Sequence, residues 1–105
     1  MSEINRQIIT VIGSTRFRAE INQWAWERTK EGKLVLFAPF AKEEIPELED
    51  YREELEAQHF QKIRMADEVF VFNRNEHIGE STYRELMYAR ILGKVIKFLE
   101  PYSGY

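Results

Sequence analysis

Short apolar runs alternate with segments of helical periodicity along this chain, and that alternation constrains the fold more than any other feature. The runs are rich in β-branched and aromatic residues and occupy positions 7–12, 33–38, 67–73 and 95–99. Nearly continuous apolar runs of this length are typical of parallel strands buried on both faces. The alternation predicts a small doubly wound α/β fold, flavodoxin- or Rossmann-like, with about four parallel strands and helices on both faces.

Chain breakers delimit the predicted elements. Pro39 is expected to end the second strand, and Gly32 and Gly93 follow two of the predicted helices, at 19–31 and 81–92. The remaining helix is predicted to run from Pro46 to Ala66, with a stripe at Leu48, Tyr51, Leu55, His59, Ile63 and Ala66. Right-handed crossovers favour the strand order 2-1-3-4. The loops at 13–18 and 74–82 should then converge on one cleft, since both leave the carboxyl ends of neighbouring strands.

Composition excludes several functional classes. The 105 residues are expected to form one domain, 1–105, and the net charge of −3 gives no footprint for duplex nucleic acid or an anionic membrane. Cysteine is absent, and only two histidines occur, far apart in the sequence. We therefore expect no metal site and no cofactor. No apolar signal or membrane-spanning segment is visible, which predicts a cytoplasmic protein.

The loop after the first strand has the character of an anion-binding turn. It reads Gly13-Ser14-Thr15-Arg16-Phe17-Arg18, with a glycine for the turn and hydroxyls from Ser14 and Thr15. The helix that follows favours an anion, and Arg16 or Arg18 could hold a phosphate or carboxylate in bidentate fashion. The loop is neither a Walker loop nor a dinucleotide fingerprint. The alternative is a capped turn with solvated arginines.

The loop after the third strand brings a carboxylate to the same edge. Gly79, Ser81 and Thr82 offer backbone N–H groups and hydroxyls, and Glu85 follows one turn into the helix. We assign these residues, with Asn73 at the end of the strand, to a substrate-binding edge. The alternative is a capping box in which Ser81 or Thr82 caps the helix and Glu85 supports the cap.

These motifs together resemble the nucleoside 2-deoxyribosyltransferase superfamily. The resemblance rests on the Gly-Ser-x-Arg loop, on Ala66-Asp67-Glu68-Val69, and on Ser81-Thr82-x-x-Glu85-x-x-Tyr88-Ala89 followed by Gly93-Lys94. The opening loop looks closest to proteins like 2′-deoxynucleoside 5′-phosphate N-hydrolase. The resemblance implies an N-glycosidase or deoxyribosyltransferase acting on a deoxynucleoside or its 5′-monophosphate. It also implies Glu85 as the nucleophile, the Gly13–Arg16 loop as the sugar or phosphate site, and a homodimer or higher homo-oligomer.

The chain departs from the family at His59. In the family an aspartate there assists the leaving base, and a histidine can also donate a proton near neutral pH. The alternative is a structural histidine, because His59 lies on the apolar stripe four residues from both Leu55 and Ile63. Two other functions remain open: a non-catalytic module that binds or senses a nucleotide derivative, and an interaction domain with a vestigial cleft.

Overall fold

A computed structural model describes residues 5–38 and 44–104, which form a four-stranded, all-parallel sheet with helices. The strand order is β2-β1-β3-β4, as the sequence predicts. Pro39, the predicted end of the second strand, lies outside the described residues. The elements, in chain order, are β1 (Ile8–Gly13), α1 (Arg18–Lys30), β2 (Leu34–Leu36), α2 (Arg52–Met65), β3 (Glu68–Phe72), α3 (Glu80–Ile91) and β4 (Val95–Phe98).

The two sheet faces carry separate apolar cores, which confirms the prediction of helices on both faces. On one face, Ile12 and the buried valines of β3 pack with residues of α2 and α3, namely Ile63, Leu86 and Ala89. On the other face, Val11 and Phe72 pack against Phe17 and Ile21, at the start of α1. Adjacent strand residues therefore serve opposite cores, as the alternation of side chains along a strand requires.

The second helical segment differs from the prediction in its first turns. Instead of one α-helix from Pro46, a 3₁₀ helix covers Pro46–Tyr51 and α2 begins at Arg52. No side chain caps either start. The tighter i→i+3 bonds satisfy donors that a cap would otherwise take. Of the predicted stripe, Tyr51 is 58% exposed, Leu48 and Leu55 are half-buried, and His59, Ile63 and Ala66 are buried.

Gly13 is explained by close packing rather than by a turn. It pairs with Phe72 across β1 and β3, and a Cβ added at Gly13 would lie 3.0 Å from the Phe72 carbonyl oxygen. Such contacts are tighter than ordinary van der Waals distance, so a side chain there would push the strands apart. The glycine thus lets the carboxyl ends of β1 and β3 approach closely, and the loops that leave them lie side by side.

Candidate active site

A cleft of about 490 Å³ opens where the two predicted loops converge. Its lining includes Gly13, Ser14 and Thr15 from the first loop and Gly79, Ser81 and Thr82 from the second. The face of α2 that carries His59 closes the third side. The convergence of the two loops, predicted from strand order, is therefore confirmed. Edge-to-face packing of Phe17 on His77, with ring centroids 6.1 Å apart, joins the loops at their base.

Glu85 and His59 meet in this cleft. His59 Nε2 lies 3.2 Å from Glu85 Oε2, and the two side chains are only 10% and 12% exposed. α2 supplies the histidine and α3 the glutamate, so the pair depends on how these helices pack against the sheet. Both residues line the cleft. The pair places a carboxylate at the wall of the cleft with the His59 imidazole beside it.

The capping-box alternative for Glu85 is wrong. α3 begins at Glu80 with Gly79 as its N-cap, and no side chain makes a cap hydrogen bond there. Glu85 therefore lies more than a turn into the helix, beyond the reach of its unpaired amides. The Glu85 carboxylate lines the cleft and contacts His59, and it does not cap the helix terminus.

Nε2 is the His59 nitrogen that contacts Glu85. A carboxylate oxygen only accepts, so a hydrogen bond in this pair would require the hydrogen on Nε2. Nδ1 is buried and has no hydrogen-bond partner among the described residues. With its hydrogen on Nε2, His59 would be suited to hold the Glu85 carboxylate in one orientation.

The first loop borders two hollows, and only one of its two arginines lines both. Arg18 lines the main cleft and pairs with Glu44, with Arg18 Nη2 2.7 Å from Glu44 Oε1. Arg16 does not line this cleft and lies in a second hollow, which Ser14, Thr15 and Arg18 also line. Ser14 Oγ accepts a hydrogen bond from the Arg16 amide at 3.2 Å, which leaves the Ser14 hydroxyl hydrogen available. The structure thus brings Ser14, Thr15 and Arg18 to the cleft and leaves Arg16 at its margin.

The start of α3 contributes backbone donors. The amides of Ser81 and Thr82 belong to the first turn, which has no intrahelical acceptor for them. Thr82 is buried and Ser81 is exposed, and both line the cleft. Neither hydroxyl bonds to Glu85 in the part of the chain that the structure describes. These residues can serve a ligand but do not themselves orient the carboxylate.

Asn73 is not brought to the cleft. Its side-chain amide donates to the Glu100 carbonyl oxygen at 2.9 Å and accepts from the Glu100 amide at 2.9 Å. Asn73 is fully buried, and both ends of its amide are used by one backbone unit. This side chain fastens the segment after β4 to the end of β3, a structural function that its position in the sequence did not reveal.

Lys62 is a cleft residue that the sequence reasoning missed. It lies one helical turn beyond His59 on α2, and its Nζ donates to the Phe37 carbonyl oxygen at 3.1 Å. The buried Thr10 hydroxyl donates to the Lys62 carbonyl oxygen at 2.7 Å and ties this turn of α2 to β1. The i,i+3 spacing from His59 was the available signal, because residues so spaced share one helix face.

Comparison with known proteins adds no family assignment. No protein-family model matches the chain, and no curated protein matches it. Within residues 5–38 and 44–104, no group of three or more potential metal-ligating side chains occurs. In the same ranges, no helix has the length and apolarity needed to cross a membrane.

Proposed function

We propose that this protein cleaves or exchanges the N-glycosidic bond of a deoxynucleoside or its 5′-monophosphate, with Glu85 as the nucleophile. One observation carries the proposal: the Glu85 carboxylate lines a cleft at the carboxyl ends of β1 and β3 and is oriented by His59 at 3.2 Å. Ligands of open α/β sheets bind at such an edge. The resemblance of the surrounding motifs to the nucleoside 2-deoxyribosyltransferase superfamily supplies the reaction class.

The chemistry requires Glu85 to be ionised. One carboxylate oxygen attacks C1′ of the deoxyribose, the C1′–N bond breaks, and its electron pair leaves with the base. Water or a second base then attacks C1′, releases the carboxylate and restores the configuration of the sugar carbon. The other oxygen, Oε2, keeps its contact with His59 Nε2 throughout, so the attacking oxygen stays aligned.

His59 acts in this proposal mainly on Glu85. A hydrogen at Nε2 directed to the carboxylate is not directed to a leaving base. The family's aspartate at the matching position was the reason to consider a proton donor, and the observed geometry supports a positioning residue better. The leaving base then takes its proton from solvent.

The sugar-phosphate end is assigned to the first loop. Ser14, Thr15 and Arg18 line the same cleft as Glu85, and so do Ser81 and Thr82 at the start of α3, whose backbone amides have no intrahelical acceptor. A 5′-phosphate near Arg18 would compete with Glu44 for the guanidinium, an exchange of one anion for another. Arg16, in the adjacent hollow, can add to the positive electrostatic potential at the phosphate.

Self-association is part of the proposal. Family resemblance implies a homodimer or higher homo-oligomer, and several large apolar side chains are exposed, including Ile91 at 83% and Trp26 at 54%. Symmetric dimers are the commonest assembly of soluble proteins. Light scattering should give at least twice the chain mass, whereas a monomeric mass at assay concentration would contradict this part.

The test is a panel of deoxynucleosides and their 5′-monophosphates, scored for free base by chromatography. A thermal-shift series on the same compounds reports binding separately, since a ligand of the folded state raises apparent stability. We expect base release from at least one compound that also stabilises the protein. If some compounds stabilise the protein but none of them releases free base, the proposed reaction is wrong. That result would favour the alternative, a module that senses nucleotide derivatives.

A further inference from the structure

The turn that follows β3 holds two residues in an uncommon backbone conformation. Asn75 and Glu76 have φ angles of 59° and 61°, in the left-handed region that residues other than glycine seldom adopt. Two such residues in succession are rarer than one, and glutamate enters this region less readily than asparagine. A conformation of this kind persists only where the surrounding structure holds it, and it is concentrated at functional sites. The turn therefore needs a partner that fixes it.

The carboxylate of Glu100 is that partner. Its Oε2 accepts a hydrogen bond from the Asn75 amide at 2.6 Å, a short distance of the kind that a charged acceptor gives. The same oxygen lies 3.7 Å from Arg74 Nη1, and Arg74 Nε donates to the Glu20 carboxylate of α1 at 2.7 Å. Glu100 follows β4 and does not line the cleft. A side chain outside the cleft thus fixes the turn that leads into it.

The turn is joined directly to a cleft residue, His77. The Glu76 amide donates to the Asn73 carbonyl oxygen at 2.8 Å, and the His77 amide donates to the Arg74 carbonyl oxygen at 3.2 Å. These bonds set the direction in which the chain leaves the turn. Because His77 is the next residue after the two left-handed ones, a change in their conformation would move its side chain.

The His77 imidazole lies between the two loops that form the cleft. It lines the cleft and packs on Phe17 of the first loop, with ring centroids 6.1 Å apart. On the other side, its Nε2 lies 3.7 Å from where a Cβ added at Gly79, the N-cap of α3, would be. Within the described part of the chain, neither ring nitrogen makes a hydrogen bond. A half-buried imidazole at a cleft wall can therefore donate and accept hydrogen bonds with a ligand.

We infer that Glu100 is a positioning residue, which holds the turn at 74–76 and thereby fixes His77 as a ligand-binding side chain of the cleft. The inference rests on the proposed function for the kind of ligand, a deoxynucleoside 5′-monophosphate, but not for the contacts of the turn. A ring that is already in place avoids the entropic cost of being ordered when the ligand binds. Loss of the Glu100 carboxylate would release the turn and restore that cost.

Two variants of Glu100 and one control isolate the contact. Glu100→Ala removes the carboxylate and leaves the Glu100 backbone, which pairs with Asn73, unchanged. Glu100→Gln is the conservative variant, because its amide oxygen can still accept from the Asn75 amide. Glu20→Ala is the matched control, since it removes the other carboxylate bound to Arg74 without touching the turn backbone. Thermal unfolding identifies any variant that fails to fold.

Nuclear magnetic resonance of the ligand-free protein tests the positioning. In Glu100→Ala, hydrogen exchange at the Asn75 amide should become faster, and the His77 ring signals should shift toward those of an unstructured histidine. Both Glu100→Gln and Glu20→Ala should keep signals close to those of the wild type. Unchanged exchange and ring signals in Glu100→Ala would overturn the inference. Equal changes in Glu20→Ala would also overturn it, because the arginine rather than the amide contact would then hold the turn.

Calorimetry with the 5′-monophosphates of deoxyadenosine, deoxycytidine, deoxyguanosine and thymidine tests the ligand contact. His77→Phe keeps a ring against Phe17 but removes both nitrogens, and it should weaken binding about tenfold, the loss of one hydrogen bond. Glu100→Ala should weaken the same binding severalfold, and Glu100→Gln should restore it. The double variant, Glu100→Ala with His77→Phe, should bind no more weakly than His77→Phe alone, because one change acts through the other.

The outcomes separate this inference from the proposed function. Additive losses in the double variant would overturn the inference, as would wild-type affinity in His77→Phe. If the wild type binds none of the four nucleotides, the proposed substrate is wrong. The resonance measurements on the ligand-free protein would then still decide whether Glu100 positions His77.

Discussion

Nε2 of His59 and Oε2 of Glu85 lie 3.2 Å apart, in a polar contact that joins α2 to α3 at the candidate active site. Both side chains are nearly buried, so neither is well solvated on its own. Removing one partner would leave the other with an unsatisfied polar group, whereas removing both would leave none. The pair should therefore be coupled energetically as well as positioned for chemistry.

A double-mutant cycle with His59→Leu, Glu85→Leu and the double variant measures that coupling. We expect each single change to lower the free energy of unfolding, and the double variant to lose less than the two losses added. The coupling should be about 1–2 kcal/mol, as for contacting polar pairs. Urea denaturation followed by circular dichroism gives the four values. Strict additivity would mean that the two side chains do not interact in solution.

Asn73 should prove structural. Asn73→Ala removes two hydrogen bonds to the Glu100 backbone and leaves a buried N–H and carbonyl unpaired, so we expect a loss of about 2–3 kcal/mol in unfolding free energy. Asn73→Asp should be at least as damaging, because a carboxylate can accept from the Glu100 amide but repels its carbonyl. Ligand affinity of the folded fraction should be unchanged. If Asn73→Ala is as stable as the wild type but binds ligand more weakly, the substrate contact predicted from the sequence would be correct after all.

Gly13→Ala should destabilise the protein by about 1–3 kcal/mol, the usual cost of overpacking, because its Cβ would meet the Phe72 carbonyl oxygen at 3.0 Å. Gly79→Ala is the matched control in the second loop: there the nearest atom to an added Cβ, His77 Nε2, is 3.7 Å away. Its stability should stay near that of the wild type. Chemical denaturation compares the two, and equal stabilities would remove the close-approach explanation for Gly13.

Arg18 and Arg16 should differ in their effects on phosphate binding. Arg18→Ala is expected to weaken a deoxynucleoside 5′-monophosphate about tenfold or more and the nucleoside little, since a charge-assisted contact to phosphate is lost. Arg16→Ala, outside the main cleft, should cause a smaller loss. Titration calorimetry with both ligands tests the ranking. Equal losses for nucleoside and monophosphate in Arg18→Ala would exclude a phosphate role for this loop arginine.

The strand order could be predicted from the sequence because each strand and helix has its own local sequence pattern. Apolar runs such as Val69–Val71 mark buried strands, and the handedness of crossovers then limits the strand order to few choices. The same strand order also predicted correctly that the loops after β1 and β3 line one cleft. The prediction of an α-helix directly from Pro46 was wrong. The apolar periodicity there does not distinguish a 3₁₀ helix from an α-helix, and the start has no side-chain cap.

Details of the site depend on contacts that no local pattern encodes. Asn73 and Glu100 are 27 positions apart, and their pairing follows from where the chain goes after β4. Lys62 belongs to no motif, and its hydrogen bond to the Phe37 carbonyl oxygen joins residues 25 positions apart. Glu85 was predicted from its place one turn into the helix after the third strand, and the resemblance pointed to His59, but their contact at 3.2 Å depends on how α2 and α3 pack.

The central claim, that Glu85 is a nucleophile, is tested most directly by comparing the wild type with Glu85→Gln on the deoxynucleoside panel. Glutamine keeps the shape and can accept from His59 Nε2 through its amide oxygen, so folding and ligand binding should persist. It carries no nucleophilic carboxylate, so base release should fall to the uncatalysed level. Wild-type protein quenched during turnover should show a deoxyribosyl adduct on Glu85 by mass spectrometry. Full base release by Glu85→Gln would contradict the account.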